Sequence, residues 1–258
     1  MTSLKKDFIA VTTTEPQQQL AAQNLAKQYF LPYVDSSQQE NFSFILILSE
    51  KGLMLKNIEQ KDWGNLHIDF LKGSIGYRLR HIQGQKQLLA KAIGSKTHPK
   101  ASILDLTAGL GNDGFVFAQL GFSVTLLERS PIIAALLQNG LDRALNYQSY
   151  STSNIQLIHS EAKIYLNQID TKKLPDIIYL DPMYPHSNKS ALAKKEMRFL
   201  RQIVGDDTDA QTLLPLALTH ARQRVIVKRA RSAPFLSALK PQHSIFGKQL
   251  RFDIYLMR

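Results

Sequence analysis

The chain has 258 residues, no cysteine and a formal net charge of +11. That length accommodates one full domain and a small second one. The absence of cysteine excludes disulfides, thiolate metal sites and covalent catalysis through a Cys nucleophile. The first 16 residues contain no apolar run long enough for a signal peptide, and Phe44 to Leu48 is too short to cross a bilayer, so a soluble, cytoplasmic protein without a membrane partner is expected.

The charge is unevenly placed. Residues 1–71 carry a net −2, residues 72–100 a net +7, residues 101–185 a net −3, and residues 186–258 a net +9. Two basic blocks thus flank a mildly acidic centre, the distribution a phosphate backbone would select.

In chain order, Phe8 to Thr12 reads as a strand. Thr14 to Gln17 supplies an N-cap, a capping-box Gln and a first-turn Pro for a helix reaching Phe30. Phe42 to Leu48 and Leu53 to Ile58 form a hairpin about Ser49 to Gly52, with His67 to Phe70 as a third strand. Residues 1–71 therefore make a small α+β domain, and residues 72–100 a basic linker and helix containing Tyr77, Arg78, Arg80 and His81. Residues 101–258 alternate: strand Ala101 to Leu106, helix from Phe115, strand Ser123 to Leu127, helix Pro131 to Leu145, strand Ile155 to His159, helix Ala162 to Ile169, strand Asp176 to Leu180. Helices Lys189 to Val204 and Thr208 to Arg222, the former leading into the crowded Asp206, Asp207 and Asp209 as caps, precede strand Arg224 to Lys228 and a closing pair, Ser244 to Phe246 with Phe252 to Met257. The pattern predicts an α/β fold, a Rossmann-like, mostly parallel sheet with its last strand antiparallel, covered by helices on both faces.

Ligands in such sheets bind beyond the carboxyl ends of the strands. There the chain places Asp105, then the loop Thr107 to Gly114, in which Gly109 and Gly111 let the backbone approach a ligand. Glu128 ends the second strand, where a nucleotide-type cofactor presents its ribose hydroxyls. Asp105 and Asp113 would repel a pyrophosphate but suit a cationic sulfonium bearing an amino group. The expected cofactor is therefore S-adenosylmethionine, with Asp113 toward its amino-acid or adenosine end and Glu161 and Ala162 beside the adenine. Asp105 either contacts the ligand or only organises the loop.

At the end of the next strand stands Asp181-Pro182-Met183-Tyr184. An exocyclic amine on a base is a poor nucleophile because its lone pair is delocalised into the ring, so an acceptor must grip its hydrogens. Asp181 and the Pro182 carbonyl can do so, and Tyr184 can stack on the base, an interaction worth roughly 1–3 kcal/mol. The basic residues after this turn, His186, Lys189, Lys194, Lys195 and Arg198, read either as a solvated helix face or as a cover that contacts phosphates; Arg78 and Arg80 join them as candidate RNA contacts. The seven histidines lack ligand spacing, so no metal is expected.

The segments Asp105 to Phe115, Leu127 to Leu137, Tyr179 to His186, Lys194 to Arg198 and Arg251 to Tyr255 resemble the bacterial small-subunit ribosomal RNA guanine-N2 methyltransferase J family, the similarity running from about Phe42 to the C-terminus. The resemblance implies methylation of one guanine amine near the 3′ end of 16S ribosomal RNA, with that RNA or the small ribosomal subunit as partner. It places cofactor contacts on Asn112, Asp113, Glu128, Arg129, Glu161, Ala162 and Asp181. Two positions depart from the family pattern: Asn112 stands where Arg is usual, and Glu161-Ala162 replaces a pair of small residues. An adenine-N6 DNA methyltransferase, which would need to flip its base and would carry a target-recognition domain, and a non-catalytic ribosome-assembly module are the competing readings.

Overall fold

The computed structural model describes residues 7–71, 83–95, 98, 100–146, 154–183, 195–205 and 210–257. Its first four strands form one sheet in the order β1 (Asp7–Thr13), β2 (Phe42–Ser49), β3 (Gly52–Asn57) and β4 (Asn65–Leu66). Helix α1 (Gln19–Gln28) connects β1 to a parallel β2. The expected capping box is not formed. Glu15 occupies the N-cap of a short 3-10 turn (Pro16–Gln18) without a side-chain capping bond, and Thr13 Oγ1 accepts from the Glu15 N–H at 3.1 Å instead.

The β2–β3 turn forms as the sequence predicts, with Ser49 paired to Gly52. Gly52 is required twice over. Its φ of +105° lies where side chains are strained, and a Cβ there would sit 2.6 Å from Arg143 Nε. Asn139 Oδ1 accepts from the Leu53 N–H at 2.8 Å, which ties the hairpin to a helix of the second sheet.

Strand β4 is shorter and earlier than the expected strand His67 to Phe70, because the stretch from His67 is held by side chains rather than by a ladder. Phe70 stacks on Phe115 with centroids 4.2 Å apart, and Ile68 packs on Gly140, where a Cβ would come within 2.8 Å of Ile68 Cγ2. Ile68 and Phe70 belong to the same buried core as Phe44, Leu46, Leu126 and Ile226, so one continuous core joins both sheets.

The second sheet contains β5 (Ser102–Asp105), β6 (Ser123–Glu128), β7 (Ile155–His159), β8 (Ile177–Leu180), β9 (Arg224–Ala230), β10 (His243–Phe246) and β11 (Leu250–Leu256), in the order β10-β11-β9-β8-β5-β6-β7. Strands β5 to β9 pair in parallel, and β11 is antiparallel to both its neighbours. Helices α2 (Gln83–Ile93), α3 (Asn112–Gln119), α4 (Pro131–Leu145), α5 (Ala162–Gln168), α6 (Lys195–Val204) and α7 (Ala210–His220) supply the cover. Every residue of β8 is buried, as an apolar run in a doubly covered sheet requires. The strand order reverses at β5, whose neighbours are β6 and β8. That switch point opens a crevice at the carboxyl ends of β5, β6 and β8.

Candidate active site

The first wall of the crevice is the loop from Asp105 to α3. Asp105 Oδ1 accepts from the Thr107 N–H at 3.0 Å, turning the chain out of the sheet. Gly109 and Gly111 both have positive φ, +53° and +74°. A Cβ on Gly111 would strike Leu137 at 2.5 Å, whereas one on Gly109 would meet nothing within 4 Å. Gly111 is thus a packing glycine, and Gly109 faces open space. Gly114 fills a third role: a Cβ there would lie 2.3 Å from Leu126 Cδ2, so its absence lets α3 press onto β6. Buried Glu128 fixes the loop from the next strand, its Oε2 accepting from the Gly109 N–H at 2.9 Å and its Oε1 from the Ser130 N–H at 2.7 Å.

The second wall is the Asp181-Pro182-Met183 turn. The Asp181 N–H donates to Thr107 Oγ1 at 2.7 Å, locking this turn to the glycine loop. Lys228 of β9 reaches across, its Nζ 2.7 Å from Asp181 Oδ2 and 2.7 Å from Asp113 Oδ2. The Tyr179 hydroxyl donates to the same Asp113 oxygen at 2.7 Å. Asp113 and Lys228 are mostly enclosed, with 16% and 23% of their side chains exposed, and Asp181 is more open at 40%.

Two carboxylates therefore contact one ammonium, with the Asp105 carboxyl close by. Burial pushes the Asp105 carboxyl up to about 8, the charges of Asp113 and Asp181 add to this, and the Thr107 N–H and Lys228 oppose it. Burial also raises the Asp181 carboxyl against the pull of Lys228 and Arg229. Burial alone would weaken the Lys228 ammonium, but Asp181 and Asp113 outweigh it and hold Lys228 well above the usual lysine range. Burial, then the nearby aspartates, raises the Tyr179 phenol.

Asp105 gives a pH prediction. A carboxyl raised by folding binds more protons in the native state, so its contribution to stability is present in full below about pH 4 and is lost as pH rises through about 8. Asp105→Asn stays neutral throughout. Its melting temperature should therefore gain on wild type as pH rises from 5 to 8; parallel curves would show that Asp105 is an ordinary ionised carboxylate.

Of the other residues singled out in the sequence, Asn112 opens α3 and is half-buried. The Arg129 carbonyl lies 3.2 Å from His159 Nε2 at the end of β7. Exposed Glu161 is the N-cap of α5 and makes no capping bond with its side chain, while Ala162 is buried. Asn112, Arg129 and the Glu161-Ala162 pair follow the carboxyl ends of β5, β6 and β7 in turn. Arg198 lies on α6 with its guanidinium 5.9 Å from the Trp63 ring, and Phe199 beside it packs edge-on to Trp63, so this part of the helix is docked on the first sheet. Tyr184, His186, Lys189, Lys194, Tyr77, Arg78, Arg80 and His81, together with Asp206, Asp207 and Asp209, lie outside the described residues, as does the Lys195 side chain.

Sequence reasoning missed Thr107, Tyr179 and Lys228. Among the described residues no group of three or more His, Asp or Glu is placed to hold a metal ion, and no helix is long and apolar enough to cross a membrane.

The residues present fit S-adenosylmethionine. The cluster holds more carboxylates than cations, which suits a sulfonium and an amino group, and Gly109 leaves room where a larger residue would intrude. A seven-stranded sheet with one reversed strand, a glycine loop after the first strand and an Asp-Pro turn after the fourth define a Rossmann-like, class I S-adenosylmethionine-dependent methyltransferase. Residues 24–257 match the family described as "Putative SAM-dependent methyltransferase". A crystal structure of a SAM-dependent methyltransferase from Neisseria gonorrhoeae superposes with a TM-score of 0.75 at 32% identity, covering 96% of this chain and 95% of that one.

Curated relatives narrow the family. The chain is 45% identical over 252 residues to ribosomal RNA small subunit methyltransferase J of Coxiella burnetii, covering 98% of each, and 46% identical over 237 residues to that of Thioalkalivibrio sulfidiphilus, covering 91% and 92%. The chain belongs to the ribosomal RNA small subunit methyltransferase J family.

Proposed function

We propose that this enzyme methylates the exocyclic N2 amine of a guanine near the 3′ end of 16S ribosomal RNA. The observation that carries the reading is the Asp181-Pro182 turn, pinned through Thr107 to the glycine loop, in a chain with close, full-length ribosomal RNA methyltransferase relatives. Asp105, Gly109, Gly111, Asn112, Asp113, Glu128, Arg129, Glu161 and Ala162 would hold S-adenosylmethionine, which supplies an electrophilic methyl group on sulfur. The chain's own work is to align the other reactant. Asp181 Oδ1 and the Pro182 carbonyl accept the two amine hydrogens and turn the lone pair toward the donor. Tyr184 holds the base flat. Once alkylated, the amine becomes acidic and sheds its proton to water, so no dedicated general base is needed. Positioning of this kind converts an encounter into an effectively unimolecular step.

Purified protein should transfer labelled methyl groups to 16S RNA or to the small subunit, giving N2-methylguanosine. Label appearing as N6-methyladenine in DNA would transfer the assignment to that chemistry, and RNA binding without transfer would leave an assembly module.

For the RNA contacts we propose Arg78, Arg80, Lys189, Lys194, Lys195 and Arg198, joined by a basic loop after β9. Buried Arg229 and Arg251 hold that loop by its carbonyls: Arg251 Nη1 bonds Ala230, Arg231 and Ala233, and both arginines bond Pro234. The loop exposes Arg231, whose guanidinium lies 5.4 Å from the exposed Phe246 ring, at the same carboxyl edge as Asp181. Substituting Ala for Arg78, Arg80, Lys194 or Arg231 should weaken RNA binding and flatten its salt dependence, by roughly one unit of log–log slope for each phosphate no longer neutralised. Unchanged slopes in all four variants would return these residues to a solvated surface.

A further inference from the structure

Lys228 sits in the middle of the site yet belongs to neither the glycine loop nor the Asp-Pro turn. Its strand is paired in parallel with β8, Tyr179 opposite Ile226 and Leu180 opposite Val227, so the next step along the register brings Lys228 beside Asp181. The ammonium bridges Asp181 Oδ2 and Asp113 Oδ2 at 2.7 Å each. It is therefore shared between a residue on the side of the amine and a residue on the side of the glycine loop.

The charges around Asp181 come from four elements. Asp105 ends β5, Asp113 lies on α3, Tyr179 lies on β8, and Lys228 and Arg229 lie on β9. Arg229 gives its guanidinium to the Pro234 carbonyl, on the other face of the strand. Desolvation and the charge of Asp113 favour a protonated Asp181, and Lys228 is the cation in direct contact that opposes them.

A protonated carboxyl would present a hydrogen to an amine that itself offers only hydrogens. Its remaining carbonyl oxygen is a neutral acceptor, weaker than the charged oxygen the reaction uses. The shared ammonium also occupies Oδ2 of Asp181 and leaves Oδ1 as the oxygen free to turn toward the base. The backbone of the turn is already fixed by Thr107, so the remaining freedom is that of the carboxylate itself.

We infer that Lys228 is a positioning residue, which keeps Asp181 ionised and rotated with one oxygen toward the substrate amine while tying it to Asp113 in the cofactor-side wall. This rests on the reading that Asp181 accepts from the amine. A point charge on a slender stem suits the gap between two single oxygens, whereas a guanidinium fork suits one bidentate carboxylate.

The test compares wild type, Lys228→Met and Lys228→Arg. The rate of methyl transfer to RNA is followed from about pH 5.5 to 9.5, and the carboxyl carbon of Asp181 is titrated by NMR in the free protein, assigned by its loss in Asp181→Asn. In Lys228→Met the acidic limb of kcat should move up by a pH unit or more. That is a loss of about tenfold or greater on the limb, recovering toward high pH, with KM for RNA within about twofold. The Asp181 titration should move up with it. Lys228→Arg should retain the wild-type limb at a reduced plateau. A uniform loss at every pH with an unmoved Asp181 titration would overturn the inference and leave Lys228 a structural tie. If Lys228→Met fails to fold, Lys228→Gln provides the same uncharged comparison. Failure of the underlying reading has a different signature: Asp181→Asn would then transfer methyl groups at the wild-type rate, whatever the titration shows.

Discussion

Asp181→Ala should lower kcat for methyl transfer by about two to three orders of magnitude, the scale set by removing a preorganised group that stabilises the transition state. RNA affinity should stay within a few-fold, because it rests on backbone contacts elsewhere. In the proposed mechanism Asp181 contributes little to ground-state binding and most when the lone pair of the amine leaves the ring. Asp181 stands at the carboxyl end of β8, its backbone N–H held by Thr107 and its carboxylate by Lys228. Tyr184→Phe should keep most activity, since stacking needs the ring face, whereas Tyr184→Ala should lose it partly. Steady-state kinetics on the small subunit or its RNA separate these outcomes. A loss confined to KM in Asp181→Ala would make the residue a binding group only.

Glu128→Ala should reduce affinity for S-adenosylmethionine, or for its demethylated product, by roughly a hundredfold or more. Each hydrogen bond to a charged group contributes about 1.5–3 kcal/mol. Glu128 makes two of these to the protein itself, to the Gly109 and Ser130 N–H groups, before any bond to a ribose. Its removal therefore frees the glycine loop as well as deleting a ligand contact. Glu128→Gln keeps an acceptor for one of the two N–H groups and should fall between. Calorimetry on the free protein measures this directly. Unimpaired cofactor binding in Glu128→Ala would show that the loop is held by other means and that the ribose lies elsewhere.

What could be read from the sequence is what local chemistry determines. Strands β5, β6 and β8 announce themselves as short apolar runs, and each leads to an acid followed by a turn, so Asp105, Glu128 and Asp181 were visible together. The parallel, helix-covered sheet followed from the regular alternation of strands and helices along the chain. Lys228 was not visible, because a lysine in Arg224–Ala230 looks like the polar side of a half-exposed strand; only the pairing of β9 with β8 turns it toward Asp181. Thr107 was hidden for a similar reason, since its hydroxyl serves a residue 74 positions away. The Thr14 cap failed because Thr13 made the competing local bond. The strand expected at His67 to Phe70 was misplaced because Ile68 and Phe70 bury against the second sheet rather than alternating on their own. Hydrophobic periodicity records that a residue is buried but not which neighbour buries it.

The proposed chemistry turns on Asp181 gripping a guanine amine of ribosomal RNA. It can be read in the cell by mass mapping of modified nucleosides in 16S RNA from a strain lacking the gene, complemented with wild type or with Asp181→Ala. One N2-methylguanosine near the 3′ end should disappear on deletion, return with wild type and stay absent with Asp181→Ala. An unchanged map on deletion, or full restoration by Asp181→Ala, would contradict this role for Asp181.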